Sequence, residues 1–100
     1  MVQEFERHLD RIAELCRRYG VIRLEVFGSA ATGMGFDDES DVDFLYEMEK
    51  GPGYADRFFD LKDALEELFG RPVDLVHDAS IDNPYFRKSV DETKQLIYAA

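Results

Sequence analysis

Two short stretches of this chain combine residue types suited to chemistry on phosphates. Gly28 and Ser29 end one apolar run, and Asp41 and Asp43 open the next. Successive side chains of a strand alternate between faces, so aspartates at positions i and i+2 point the same way. Paired carboxylates suit Mg²⁺, which prefers oxygen ligands and commonly shares them with substrate phosphates. The pattern therefore predicts a divalent-metal site beside a phosphate-binding turn, and chemistry on a nucleoside triphosphate.

The Gly-Ser pair has the properties of the phosphate side of such a site. Gly28 has no side chain that would keep phosphate oxygens away from the backbone. Ser29 offers a hydroxyl, and the turn after it offers backbone N–H groups to an anion. Two metal ions about 4 Å apart can stabilise both the entering and the leaving oxygens of an in-line displacement.

A third carboxylate, Asp74, lies among apolar residues of a later predicted strand. An acid in such surroundings is costly unless it is paired or bound to a metal. If this strand lies beside that of Asp43, Asp74 faces Asp41 and Asp43, binds one metal and orients or deprotonates the nucleophile. Taken alone, Asp74 fits an exposed aspartate on an edge strand better than a site residue, but after the Gly-Ser and Asp-x-Asp elements the site is favoured.

Hydrophobic periodicity assigns the candidate residues to a small set of elements. Helices are predicted over residues 3–19, 54–69 and 84–98, and strands over residues 21–27, 42–48 and 73–77. Ser29 is predicted to cap a short helical turn, and Asn83 to cap the last helix. The short connection between the first two strands favours antiparallel pairing, and the helix before the third favours a mixed sheet. The expected fold class is α/β (α+β), a small mixed sheet of about three strands flanked by helices, in one domain over residues 1–100.

Composition restricts the classes of partner. The net charge of −10, from 22 acidic and 12 basic residues, disfavours direct nucleic-acid binding and suits divalent cations or a basic protein. No apolar run approaches the ~20 residues of a membrane span, and the N-terminus lacks the layout of a signal peptide. The only cysteine, Cys16, cannot form an internal disulfide and falls on the apolar face of a predicted helix. We therefore expect a cytoplasmic protein that does not enter a membrane.

The order of these motifs resembles the nucleotidyltransferase superfamily that includes DNA polymerase beta and kanamycin nucleotidyltransferase. The length makes the chain most similar to the minimal nucleotidyltransferase (MNT) domains. The resemblance implies a nucleotidyltransferase fold, ATP as substrate, Mg²⁺ as cofactor and a HEPN ribonuclease toxin as partner, for which the MNT protein is the antitoxin. It implies AMP transfer from ATP to a tyrosine of that toxin. The residues that it marks as catalytic and metal-binding are Asp41, Asp43 and Asp74, and as nucleotide-binding Gly28 and Ser29.

One position departs from the family pattern. Thr32 stands where a basic residue is usual, and a missing cation near the phosphates would weaken nucleotide binding or slow transfer. The candidate replacements are Arg71, Arg87 and Lys88, and Arg87 is preferred because it lies in the family-like segment that follows the third predicted strand. Two alternatives stay open: an antitoxin that acts by direct binding with weak or no catalysis, and a small-molecule nucleotidyltransferase.

Overall fold

Helices and strands alternate along the chain. In a computed structural model that describes residues 3–100, the helices are α1 (Gln3–Tyr19), α2 (Ser29–Thr32), α3 (Tyr54–Phe69) and α4 (Pro84–Thr93). The strands are β1 (Val21–Phe27), β2 (Val42–Met48), β3 (Val73–His77) and β4 (Gln95–Ala99), and a 3₁₀ turn occupies Asp78–Ser80. Each predicted element is present, but the last predicted helix is divided into α4 and β4.

The strands form one mixed sheet in the order β3-β2-β1-β4. β1 pairs antiparallel with β2 and with β4, whereas β2 and β3 are parallel. The long crossover that a parallel pair requires is provided by α3. Both the antiparallel first pair and the mixed sheet are confirmed.

The prediction of a helix over residues 84–98 is wrong for its second half. α4 ends at Thr93, and the chain continues as β4 along the free edge of β1. Phe86, Val90 and Ile97 fit a helical period, but pairing with β1 satisfies backbone groups that a longer helix would leave exposed at that edge. The sheet consequently has four strands within residues 3–100 rather than about three.

The two faces of the sheet differ in what covers them. On the covered face, α1 and α3 pack against one set of alternating strand side chains. The fully buried, larger members of this core include Phe5, Ile12, Leu24, Val26, Val42, Phe44, Leu61 and Leu65. On the other face, here called the open face, α4 packs through Val90 onto Phe27 and Leu45. The remainder of the open face is where the predicted site lies.

Several local predictions are settled by the caps. The Asn83 side chain accepts hydrogen bonds from the N–H groups of Tyr85 and Phe86, which confirms it as the cap of α4. Gly28, not Ser29, caps α2, because the chain turns with a positive φ one residue earlier than predicted.

Cys16 is buried in α1, and this burial raises the pKa of its thiol to about 12. No helix within residues 3–100 has the length and apolar character that crossing a membrane requires.

Candidate active site

The three predicted carboxylates lie where the parallel strands β2 and β3 begin. Asp43 and Asp74 are register partners in the parallel ladder, so both side chains project from the same face. Because its neighbours Val42 and Phe44 are buried on the covered face, Asp43 belongs to the open face. Asp41 stands directly before β2 and two residues from Asp43, close enough for its charge to act on Asp43. The fold thus brings together three residues that are as many as 33 positions apart in sequence.

The surroundings of Asp43 disfavour the charged form of its carboxyl group. Its carboxyl is half-buried, whereas Asp41 and Asp74 are exposed. Burial first, then the negative charges of Asp74 and Asp41, raise the pKa of Asp43 to about 6. Three carboxylates that repel one another in this way are a favourable environment for a cation, which would neutralise the repulsion.

The donor set fits a hard divalent cation in its chemistry. All three groups offer carboxylate oxygens, the ligands that Mg²⁺ prefers, and Asp43 and Asp74 project from the same face of the sheet. Within residues 3–100, however, no three His, Cys, Asp or Glu side chains converge closely enough to hold a metal ion as they stand. The cluster therefore has suitable ligands without the final ligating geometry.

Gly28 lies directly against the carboxylate cluster. β1 ends at Phe27, the register partner of Asp43, and Gly28 follows with φ +72°. A Cβ at Gly28 would lie 3.2 Å from Oδ2 of Asp43, which is tighter than an ordinary contact. Glycine is therefore required here both by the backbone angle and by the close approach to Asp43.

The turn after Gly28 is held by the end of α4. The N–H of Gly28 donates to Oγ1 of Thr93 at 3.0 Å, so this amide already has a protein partner. Ser29 is the half-buried first residue of α2, and the first N–H groups of a helix have no carbonyl within it to bind. The N–H groups of Ala31 and Thr32 already donate to the carbonyl of Gly28. An anion at this turn would therefore be bound by the N–H groups of Ser29 and Ala30 rather than by that of Gly28.

Thr32, which stands where the family pattern has a basic residue, stabilises its own turn. Thr32 is exposed, and its hydroxyl lies 3.5 Å from the carbonyl oxygen of Gly28 and accepts from the N–H of Met34 at 3.1 Å. Its side chain therefore supports the local turn and provides no positive charge.

None of the three candidate replacements is placed at the turn. The Arg87 guanidinium binds the carboxylate and the carbonyl of Asp78, both at 2.7 Å, four residues beyond Asp74 along the chain. Lys88 faces Glu92 on the exposed side of α4, and Arg71 binds two main-chain carbonyls. The preference for Arg87 as the replacement is therefore not supported by its contacts.

Sequence reasoning missed Thr93 as a contact of the candidate site. Its hydroxyl meets Gly28 across 65 residues, and Thr93 lies in a stretch whose periodicity indicated a continuous helix. A threonine at the end of a helix carries no local signal of such a partner.

Comparison with known proteins supplies the family. A family model described as a nucleotidyltransferase domain matches residues 9–97 of this chain. The chain belongs to the nucleotidyltransferase domain family. The nucleotidyltransferase fold and the family expected from the order of the motifs are both confirmed.

Relatives in sequence define the class of enzyme. This nucleotidyltransferase is 42% identical over 84 residues to MJ0128 of Methanocaldococcus jannaschii, which is named as a protein adenylyltransferase; the match covers 84% of this chain and 82% of that one. It is 43% identical over 68 residues to the protein adenylyltransferase MntA of Thermococcus cleftensis, covering 68% and 67% of the two chains. The chain is accordingly an enzyme of the protein adenylyltransferase class.

Solved structures share the architecture. A minimal nucleotidyltransferase superposes with a TM-score of 0.74 at 33% identity, over 90% of this chain and 89% of that one. A chain from the complex of tri-AMPylated Shewanella oneidensis HEPN toxin with MNT antitoxin gives a TM-score of 0.65 at 16% identity, over 96% and 73%. The second likeness is one of fold alone.

Proposed function

We propose that this nucleotidyltransferase transfers AMP from ATP to a tyrosine hydroxyl of a HEPN ribonuclease toxin and so acts as its antitoxin. The observation that carries the proposal is the meeting of Asp43 and Asp74 in register beside Gly28, which combines carboxylates with a glycine turn. The fold is shared with a chain from a complex of tri-AMPylated HEPN toxin with MNT antitoxin, which supports the choice of acceptor.

The carboxylates and the glycine-serine turn have separate roles in this proposal. Asp41, Asp43 and Asp74 hold Mg²⁺, which when bound neutralises phosphate charge and stabilises the entering and leaving oxygens. Gly28 leaves space for phosphate oxygens next to Asp43, and Ser29 orients them through its hydroxyl. The site thereby binds the triphosphate with its α-phosphorus near the carboxylates.

Asp74 is the residue best placed to meet the acceptor. It lies on β3, an edge strand of the sheet, and is exposed, so a protein hydroxyl can reach it from outside. The tyrosine oxygen attacks the α-phosphorus, the bond from that phosphorus to the bridging oxygen breaks, and diphosphate leaves. The hydroxyl proton passes to the Asp74 carboxylate, which acts as general base.

The charge of the chain suits a protein acceptor of opposite sign. A net charge of −10 attracts a basic surface over a distance of about 10 Å at moderate salt and accelerates the encounter. A ribonuclease that binds RNA needs positive charge, so the two proteins would be complementary. Transfer should therefore slow as the salt concentration rises.

Intact-protein mass spectrometry tests the proposal directly. The chain, ATP, Mg²⁺ and a HEPN protein encoded beside it are mixed, and the partner is expected to gain the mass of one or more AMP groups. The double variant Asp41→Asn, Asp43→Asn should give no gain. The matched control is Asp38→Asn, Glu39→Gln, which removes the same number of charges from the exposed neighbouring loop and should retain transfer.

A second function is favoured by the contacts of Thr32 and of the arginines. Because Thr32 supplies no charge and Arg71 and Arg87 bind other groups, the triphosphate would be held weakly. In that case the chain neutralises the toxin by binding it. The double variant separates the two functions: it loses neutralisation if transfer is the mechanism and keeps it if binding is enough.

A further inference from the structure

The loop over residues 33–41 delivers Asp41 to the site and is organised around one serine. The hydroxyl of Ser40 accepts from the N–H of Asp37 at 3.0 Å and lies 3.1 Å from the Asp37 carboxylate. The N–H of Ser40 donates to the carbonyl of Asp37, and the N–H of Glu39 to its carboxylate. This closed turn ends one residue before Asp41, so the position of the turn determines the position of the Asp41 backbone.

Arg71 attaches this turn to the rest of the molecule. Its Nη1 donates to the carbonyl of Asp37 at 2.7 Å and to that of Ser40 at 3.0 Å, across more than 30 residues. The guanidinium lies 4.4 Å from the ring centre of Phe36, and its side chain is only 13% exposed. A largely buried arginine that binds carbonyls on both sides of the turn holds the loop from within.

One buried carboxylate oxygen, from the half-buried Glu4, lies behind the arginine. Oε2 of Glu4 is 3.8 Å from Nε of Arg71, is buried, and has no hydrogen-bond partner within residues 3–100. The charge of Arg71 is thus what compensates Glu4 from that side, and Glu4 in turn favours the arginine at this position.

Residues 71–72, which lie directly before β3, also contact the start of β2. The residue after Arg71, Pro72, accepts a hydrogen bond at 3.0 Å from the N–H of Val42. Asp41 is therefore held on both sides, by Arg71 on the carbonyl before it and by Pro72 on the N–H after it. Two residues further on from Pro72, the chain supplies Asp74.

We propose that Arg71 is a positioning residue for the carboxylate cluster, which fixes Asp41 relative to Asp74 and so sets the affinity for the divalent cation. This inference rests on the proposed function. The three free carboxylates repel one another, so a fixed backbone lowers the cost of bringing them together around an ion. Lysine keeps the charge but cannot keep a planar group stacked on Phe36 while it binds two carbonyls.

Arg57 offers a matched control at the other end of β2. Its guanidinium donates to the carbonyls of Tyr19 at 3.0 Å and Glu49 at 2.8 Å, and lies 5.7 Å from the ring centre of Tyr54. It therefore makes the same kind of contacts as Arg71 but touches no part of the carboxylate cluster. The same substitution at both positions separates loss of a structural contact from loss of site geometry.

The experiment compares Arg71→Lys with Arg57→Lys in the full chain. Mn²⁺ binding without ATP is measured by electron paramagnetic resonance, and urea unfolding by circular dichroism. Arg71→Lys should weaken Mn²⁺ binding about 10-fold, the lower range for outer ligand-supporting contacts, while Arg57→Lys leaves it unchanged. In AMP transfer, Arg71→Lys should raise the Mg²⁺ concentration needed for half-maximal rate with kcat nearly unchanged.

Unchanged Mn²⁺ affinity in Arg71→Lys, or an equal loss in both variants, would overturn the positioning role. The double variant Asp41→Asn, Asp43→Asn distinguishes this from a failure of the proposed function. If it abolishes Mn²⁺ binding while Arg71→Lys does not, only the role of Arg71 is lost. If the unmodified chain binds no Mn²⁺ without ATP, the role of Arg71 in cation affinity fails, and the mass-spectrometric assay alone decides the proposed function.

Discussion

The two faces of β2 perform opposite tasks with alternate residues of one strand. Val42, Phe44 and Tyr46 are buried against α1 and α3, where each contributes apolar burial. Asp43, between them, is half-buried beside a carboxylate of the neighbouring strand, and burial first, then that negative charge, raises the pKa of Asp43. The covered face therefore stabilises the fold, while the open face keeps a repulsion that only a cation or a proton relieves. An enzyme can maintain such a site because the face behind it is well packed.

The open face is itself divided. Phe27, Leu45 and Val90 form a small apolar cluster under α4, beyond which lies the carboxylate cluster. This apolar contact anchors α4 so that Thr93, at its end, meets Gly28. Packing on one part of the face thus positions the turn that serves the other.

The largest expected effect is on the covered face. Phe44 is fully buried and lies edge-on to Phe5 at 5.7 Å between ring centres. Phe44→Ala should reduce the free energy of unfolding by about 3–5 kcal/mol through lost burial and the cavity left behind. Urea unfolding measures it, with Phe59→Ala as the control, since Phe59 is 59% exposed. A loss below about 1 kcal/mol for Phe44→Ala would contradict the description of the covered face.

The next effect concerns Asp74 on the open face. If Asp74 accepts the tyrosine proton, Asp74→Asn should lower kcat for AMP transfer by at least about 100-fold, with no loss of stability. The control is Glu47→Gln, an exposed carboxylate of β2 outside the cluster, for which a near-normal kcat is expected. Comparable loss in both variants would indicate a general charge effect rather than a base.

A smaller effect is the cost of ionising Asp43 without metal. Its folded-state pKa is about 6, above the usual value of 3.8, so from pH 4 to 6 the unfolded chain loses the proton first. The free energy of unfolding therefore falls as the pH rises through this range, by about 1 kcal/mol after discounting for solvent exposure. Above pH 6, Asp43 is ionised in the folded and the unfolded chain, and the full reduction in the free energy of unfolding remains.

This cost is measured as a difference between the chain and Asp43→Asn. Urea unfolding of both in EDTA from pH 4 to 8 cancels the other titrating acids. Asp43→Asn should become relatively more stable as the pH rises, while its transfer activity is lost. A constant difference across this range would mean that neither burial nor the neighbouring carboxylates raise the pKa of Asp43 in the folded chain. Metal binding by the unmodified chain should strengthen over the same interval, because the ligand must be deprotonated.

The smallest expected effect is a change in KM for ATP on substitution of Thr32, at the edge of the candidate site. Thr32→Arg restores a cation at an exposed position one turn from Gly28 and should lower KM for ATP by about 3-fold, the size expected of an exposed ion pair. Met34→Arg adds the same charge at a residue 81% exposed in the adjacent loop. An equal effect of both variants would show that only the net charge matters.

Local pattern alone identified much of this fold. The i, i+2 spacing of Asp41 and Asp43, the apolar stripe of α1 and the Asn83 cap are short-range features, which the chain encodes within a few residues. The bounds of the first three strands follow from the same signals, whereas the register that joins Asp43 to Asp74 is set by the pairing of β2 with β3.

The remaining features depend on partners distant in the chain. Residues 95–99 read as helix because periodicity reports only that one side is buried, whereas the free edge of β1 makes them a strand. The bond from Gly28 to Thr93 and the contacts of Arg71 with the loop span 65 and more than 30 residues. Sequence by itself determined which groups are available for chemistry. Tertiary structure alone decided which of them meet and which arginines are already bound, since neither depends on local pattern.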